Sequence, residues 1–224
     1  MCARFTLKKR RIRDVADELD AELSSDDEPL YRPRYNVAPT DVAWILEWGA
    51  DRRVVRPATW NYLVSAGRPL VNLRSETVGS GAKFRDGFPD RRCAVITDGF
   101  FEWPGKGLAP FWFHRADEGL VLLGGLFQRP QGADPHARFT ILTTRPNELV
   151  TPVHDRMPVI VPLARLDAWL AAPPAVAAGL LGPAPADALV ATPVSKHVNS
   201  VKHDDPTCIA LAKHAGGPAQ TSLF

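Results

Sequence analysis

The sequence predicts a single α+β domain built on a curved antiparallel sheet or barrel flanked by helices. Three observations carry that expectation. The chain has 224 residues, the length of one large domain or two small ones, and neither a linker nor an internal repeat divides it. From Cys93 to Thr143, short apolar runs are separated by Gly, Pro and Asp turns, without the intervening helices that join parallel strands. Helical spacing appears at Ile12–Leu23 and again at Leu163–Leu170, outside this β-rich middle.

In chain order, Met1 to Thr6 reads as a strand that starts at the terminus. Ile12, Val15, Ala16, Leu19 and Leu23 fall at helical spacing with acidic residues between them, which predicts a helix over Ile12–Leu23 and then the polar loop Ser24-Ser25-Asp26-Asp27. Tyr31 to Pro39 carries Pro33 and Pro39, which lack an N–H and fix φ, and reads as a rigid, shaped loop. Val42–Trp48 and Arg53–Trp60 have strand patterns, Arg74–Gly79 begins a short helix, and Lys83–Arg92 is loop or helix anchored by two Phe. Cys93–Ile96 is an apolar run, Asp98-Gly99 marks a turn, and Phe100–Trp103 continues as a strand. Further short strands are expected at Phe111–His114, Leu120–Phe127 and Phe139–Thr143. Leu163–Leu170 reads as a helix, and the Ala/Pro-rich stretch Ala171–Pro193 as a surface connection with a helix inside it. The domain core is expected to end near residue 210, with a tail over 211–224.

Charge narrows the function classes. Lys and Arg number 27 against 25 Asp and Glu, a net +2, which excludes a polycation that holds nucleic acid by its bulk field. A local basic groove is compatible with this, because the charge is uneven: the basic cluster Lys8 to Arg13 is followed by the acidic stretch Asp14 to Glu28. The three cysteines, Cys2, Cys93 and Cys208, lie far apart and form no C-x-x-C pair, so neither a four-ligand zinc site nor a redox motif is expected. No metal and no cofactor is expected, and Cys93 and Cys208 are read as structural. No apolar run is long enough for a membrane span, and no secretory h-region follows the N-terminus. A cytoplasmic protein with reduced thiols is the expectation that results.

Four strings carry candidate chemistry. Removal of Met1 gives Cys2 a free α-amine and a β-thiol on one residue, both partly available near neutral pH. Such a 1,2-aminothiol condenses with an aldehyde through its amine and closes a thiazolidine ring through its sulfur. In Asp98-Gly99-Phe100-Phe101-Glu102-Trp103, Glu102 sits among aromatics that strip its solvation, which raises a carboxyl pKa and suits it to proton transfer. Trp103 is core, or a face on which a base stacks. In His154-Asp155-Arg156-Met157-Pro158, His154 is an acid–base group, Asp155 or a backbone carbonyl its orienter, and Arg156 a phosphate fork. In Asn72-Leu73-Arg74-Ser75-Glu76-Thr77, the Asn72 amide can hold a reacting group, and Ser75 with Glu76 also reads as a capping box.

Together these strings resemble the SOS-response-associated peptidase (SRAP) family. The resemblance runs in order through Met1-Cys2-Ala3-Arg4-Phe5, Arg34-Tyr35-Asn36-Val37-Ala38-Pro39, Asn72 to Thr77, Arg92 to Trp103, Thr143-Thr144-Arg145-Pro146-Asn147 and His154 to Pro158. It closes with Pro193-Val194-Ser195 and Val198-Asn199. The chain departs from the family pattern at Ala3, where Gly is usual, at Trp60-Asn61-Tyr62-Leu63 in place of Trp-Gly-Leu, and in reading N-L-R for N-A-R at Asn72 to Arg74.

The resemblance implies a positively charged groove on a barrel-like core. It also implies that Cys2 attacks an abasic site in single-stranded DNA to form a thiazolidine crosslink. By position it makes Asn72, Glu102 and His154 the other catalytic residues. Arg4, Arg74 and Arg156 become candidates for phosphate contacts, Trp60 and Trp103 for stacking or wedging, and Asn36 and Pro39 for shaping the groove. Weak lyase activity and crosslink reversal are implied side paths. Two other readings stand beside this one: an autocatalytic cysteine peptidase that releases Met1, and a noncovalent single-strand binding module in which Cys2 is idle.

Overall fold

The computed structural model describes residues 2–64, 67–78, 88–105, 107–130 and 135–212. The first strands are β1 (Phe5–Leu7), β2 (Ala21–Leu23), β3 (Arg34–Val37), β4 (Val42–Trp48), β5 (Arg53–Trp60), β6 (Tyr62–Val64), β7 (Arg68–Leu70) and β8 (Asn72–Arg74). They are followed by β9 (Arg92–Thr97), β10 (Gly99–Glu102), β11 (Phe111–His114), β12 (Val121–Gln128), β13 (Ala137–Thr144), β14 (Met157–Pro158) and β15 (Val190–Pro193).

Five of these close a ring. Strands run β13-β12-β9-β4-β5, and β5 pairs back onto β13 through Ala137↔Ala58 and Phe139↔Trp60. A second sheet, in the order β15-β11-β10-β1-β3, lies beside this barrel. Alternate residues along the barrel strands serve two cores, as a period of two requires. Ile45, Cys93, Val95, Leu123 and Ile141 pack with Cys2, Phe5, Phe100 and Phe113 of the second sheet. Their neighbours Leu46, Ala94, Ile96, Leu122 and Leu142 pack with the helical residues Ile12, Val15, Leu166 and Trp169.

The barrel-like core is as expected, but it is not wholly antiparallel. The pairs β5–β13, β8–β13 and β2–β5 are parallel. The helix expected over Ile12–Leu23 covers only Ile12–Glu18, because Asp20 turns into the left-handed region (φ 49°) and Ala21–Leu23 joins the edge of β5. Leu19 and Leu23 are buried either way, so their spacing did not separate the two outcomes. The loop expected over Tyr31–Pro39 holds β3, which gains a partner in β1. Between Arg74 and Gly79 the described residues form one 3-10 turn, Ser75–Thr77, and Gly79 lies outside them, as do residues 83–87. The stretch Ala171–Pro193 does contain a helix, Pro174–Ala178, but ends as the edge strand β15.

At Asp98 the chain passes from the barrel strand β9 to β10 of the second sheet instead of making a hairpin turn. Asp98 fixes this crossing by accepting from the Thr6 hydroxyl and from the Lys8 N–H. Gly99 is required by its neighbour: an added Cβ would fall on the Trp112 indole, which crosses here to donate to Thr6 Oγ at 3.1 Å.

Candidate active site

The fold brings Cys2, Asn72, Glu102 and His154 to one place from four separate segments. The register Phe5↔Phe100, with Phe101 N–H donating to the Arg4 carbonyl at 3.0 Å, carries the lead-in Cys2-Ala3-Arg4 past the end of β10. Cys2 is fully buried, and its Sγ lies 3.8 Å from the Arg4 carbonyl. From β8, Asn72 Nδ2 donates to the Cys2 carbonyl at 2.8 Å, which ties the terminal residue to the barrel through β13.

Glu102 ends β10 with its side chain 2% exposed. His154 comes from a turn built on Asn147, whose side chain accepts from Val150 N–H at 3.0 Å and donates to the Ala184 carbonyl at 3.0 Å. The Nε2 of His154 is 4.0 Å from Glu102 Oε2. Its Nδ1 accepts from the Arg156 N–H at 3.0 Å, so the neutral imidazole carries its proton on Nε2, the nitrogen that faces Glu102. Asp155 Oδ1 lies 3.0 Å from Nδ1, placed to take a hydrogen bond once the ring is protonated.

Burial sets the charge state. It is the largest cause in pushing Glu102 up to about 7 and in lowering His154. It also raises the Cys2 thiol well above its ordinary value, with the Glu102 carboxylate adding to the rise. At neutral pH the thiol is therefore protonated, the imidazole neutral and the carboxyl poised between its two forms.

The remaining predicted residues divide. Trp103 is half-buried, donates from Nε1 to Asn199 Oδ1 at 2.8 Å, and lines an open cleft with Ala3, Arg4, Leu108 and Asn199. Arg4 is held there, donating to Asn36 Oδ1 at 2.9 Å and to the Val198 carbonyl at 2.8 Å. Asn36 is buried and ties β3 to the C-terminal segment through the carbonyls of Val198, Ser200 and His203. Pro39 is half-buried just beyond β3, and Arg74 is exposed at the end of β8.

Trp60 is a correction. It is fully buried between Phe5 and Phe139, with ring centroids at 5.0 and 6.0 Å, and Nε1 donates to the Val71 carbonyl at 2.8 Å. No face of it is left for a base, so this aromatic belongs to the core. Arg156 is also turned inward: its fork grips Glu76 at 2.7 and 2.9 Å and reaches the Thr143 carbonyl. Sequence reasoning missed Glu76 as its partner and Asn199 as the partner of Trp103, although both stand inside quoted motifs.

The family model for "SOS response associated peptidase (SRAP)" matches residues 1–201. The chain belongs to the SRAP family. Over 224 aligned residues it is 32% identical to the "Abasic site processing protein YoqW" of Bacillus subtilis, covering 93% of this chain and 99% of that one. It is 27% identical to "Abasic site processing protein YedK" of Escherichia coli, covering 91% and 96%. With "Abasic site processing protein HMCES" of Gallus gallus it shares 28% identity over 81% of this chain and 67% of that one. A crystal structure of a Bacteroides thetaiotaomicron protein superposes with a TM-score of 0.80 at 22% identity, over 94% of this chain and all of that one, and shows the same fold. Among the described residues of this SRAP chain, no helix is long and apolar enough to cross a membrane.

Proposed function

We propose that this SRAP protein processes abasic sites in single-stranded DNA by forming a thiazolidine crosslink through Cys2 after Met1 is removed. The observation that carries the reading is the convergence of Cys2 with Glu102, His154 and Asn72 beside an open cleft with an aromatic wall. The names of the curated relatives point to the same substrate.

The chemistry follows from the proton positions. An abasic sugar is mostly a closed hemiacetal, so its aldehyde must first be unmasked. His154 presents an N–H at Nε2 and donates to the departing ring oxygen, while the Glu102 carboxylate takes the proton of the anomeric hydroxyl. The Cys2 amine adds to the aldehyde, and loss of water leaves a cationic iminium beside Glu102. The sulfur then adds to the same carbon as the thiol proton passes to a site base. The sum is aldehyde plus aminothiol giving thiazolidine and one water. Asn72 holds the Cys2 carbonyl and with it the direction of the amine. From the same iminium, β-elimination of the 3′ phosphate gives a weak lyase path.

Phosphates are met by Arg74, exposed at the edge of the site, and by Arg4 in the cleft. Trp103 supplies the stacking face. Arg156 acts through its tie to Glu76, which fixes the turn after His154 to the segment after Asn72. The protein works as a monomer without a cofactor for this reaction.

The test is the intact mass of the protein before and after incubation with an oligonucleotide bearing one abasic site. Loss of Met1 and a heat-stable adduct that disappears in Cys2→Ala are the expected outcome. A Cys2→Ala protein that crosslinks as well as wild type sinks the proposal. Equal binding of intact and abasic strands with no adduct would instead leave a noncovalent binding module.

A further inference from the structure

Cys208, read from sequence as structural, is not alone. His197, Asp205 and Cys208 present a ring nitrogen, a carboxylate oxygen and a sulfur that all lie within 4.8 Å of one another. Among the described residues this is the one place where three such groups meet. The absence of a C-x-x-C pair says nothing about it, because its ligands come from two successive 3-10 turns, Lys196–Asn199 and Pro206–Ile209.

Local structure aims all three. Ser195 Oγ accepts from His197 N–H at 3.1 Å, and the His197 ring stacks on His203 with centroids 3.7 Å apart. Asp205 caps the second turn with Oδ1, which accepts from Thr207 N–H at 2.8 Å, and this leaves Oδ2 facing His197 Nε2 at 2.9 Å. Cys208 is buried on that same turn, with Sγ 3.6 Å from the His203 carbonyl.

We infer that His197, Asp205 and Cys208 form a zinc site, with water in the fourth position. Zinc bonds of roughly 2.0–2.3 Å put tetrahedral ligand atoms about 3.4 Å apart, so the widest separation, at most 4.8 Å, has to close by up to about 1.4 Å while the His197–Asp205 pair opens from 2.9 Å. A thiolate and an imidazole together select zinc or cobalt over magnesium and calcium, which prefer oxygen-only sites. On binding, the S–H proton of Cys208 leaves to solvent and a S–Zn bond replaces it. The His197–Asp205 hydrogen bond opens, and Nε2 and Oδ2 each give a lone pair to the metal. The consequence reaches the cleft, because the carbonyls of Val198 in the first turn and of Ser200 and His203 between the turns accept from Asn36, and that of Val198 also from Arg4. Zinc would fasten the segment that fixes the cleft wall.

The experiment uses the full chain in a Cys2→Ser background, which removes the N-terminal aminothiol as a competing chelator. Protein stripped with chelator is loaded with zinc chloride, gel-filtered and assayed for bound metal; cobalt chloride is then used for the absorption spectrum. The expected result is one zinc per chain and a thiolate-to-cobalt charge-transfer band. Cys208→Ser should lose the band, and His197→Gln, a substitution at a half-buried position, should lose stoichiometric zinc while keeping its circular dichroism. Failure of the Cys2→Ser protein to retain zinc overturns the proposal, and so does retention undiminished in both ligand variants.

Discussion

Glu102→Gln should make the protein more stable at alkaline pH while impairing it as a crosslinker. Burial lifts the Glu102 pKa from an ordinary 4.5 to about 7. Between those two values the folded state keeps a proton that the unfolded chain has lost, so stability falls as pH rises through the window. A rise of this size corresponds to about 3 kcal/mol at 1.36 kcal/mol per pH unit, fully lost above the folded value. With Glu102 only 1% exposed, solvent screening takes little from that figure. Gln keeps the shape and cannot ionise, so at pH 8 the variant should exceed wild type by up to about 3 kcal/mol, and below pH 4.5 the two should converge. For a chain of this size each kcal/mol moves Tm by about 2–4 °C. Urea and thermal unfolding of both proteins from pH 5 to 8 reads the effect directly. If the difference does not grow with pH, or Gln is the less stable partner at pH 8, then Glu102 is not a desolvated carboxylate and its place in the mechanism fails.

Asn72→Ala removes the donor to the Cys2 carbonyl and should slow crosslinking about a hundredfold by misplacing the amine, with noncovalent strand affinity unchanged in a gel-shift titration. Arg74→Ala should weaken binding to intact and abasic single strands alike, and flatten the slope of log affinity against log salt by about 0.7; an effect confined to abasic strands would contradict a phosphate contact. Trp60→Ala should cost about 3–5 kcal/mol in urea unfolding, the range for emptying a buried aromatic site. Unchanged stability with lost strand binding would return Trp60 to the DNA surface.

How much of this was legible depended on which signal each element used. Val42–Trp48 and Arg53–Trp60 were read with the right bounds because each is an uninterrupted strand-like run; β4 is buried along most of its length, and β5 at Val55, Pro57, Ala58 and Trp60. Residues Ala21 to Leu23 were misread as helix because Leu19 and Leu23 are buried by either structure; what decides is a parallel pairing to β5, which no local pattern contains. The site strings were legible as residue types, since an aminothiol, a desolvated carboxyl and a histidine each have chemistry of their own. Burial direction was not. Trp60 and Trp103 are the same side chain in sequence, yet one is enclosed by Phe5 and Phe139 while the other leans on Asn199 at a cleft. Arg74 and Arg156 differ in the same way: the fork of Arg156 is turned onto Glu76, while Arg74 is exposed at the end of β8. Such choices are made between segments far apart in the chain, and only the fold states them.

The same burial that hides the site also orders its chemistry. Desolvation holds the Cys2 sulfur as a thiol and His154 as a neutral ring, and keeps Glu102 near its midpoint at neutral pH. A resting thiolate here would stand unpaired beside a carboxyl that is half ionised, so the amine is the nucleophile available first. Its condensation with an aldehyde creates a positive iminium one ring-closure away from the sulfur. That new charge favours both the Glu102 carboxylate and the thiolate, reversing the direction in which burial had pushed them. The sulfur thus becomes reactive only when the electrophile it must attack already exists. A burial that looks hostile to a nucleophilic cysteine therefore suits a two-step capture, in which an early thiolate would be exposed to oxidation and to adduct formation with the wrong partner.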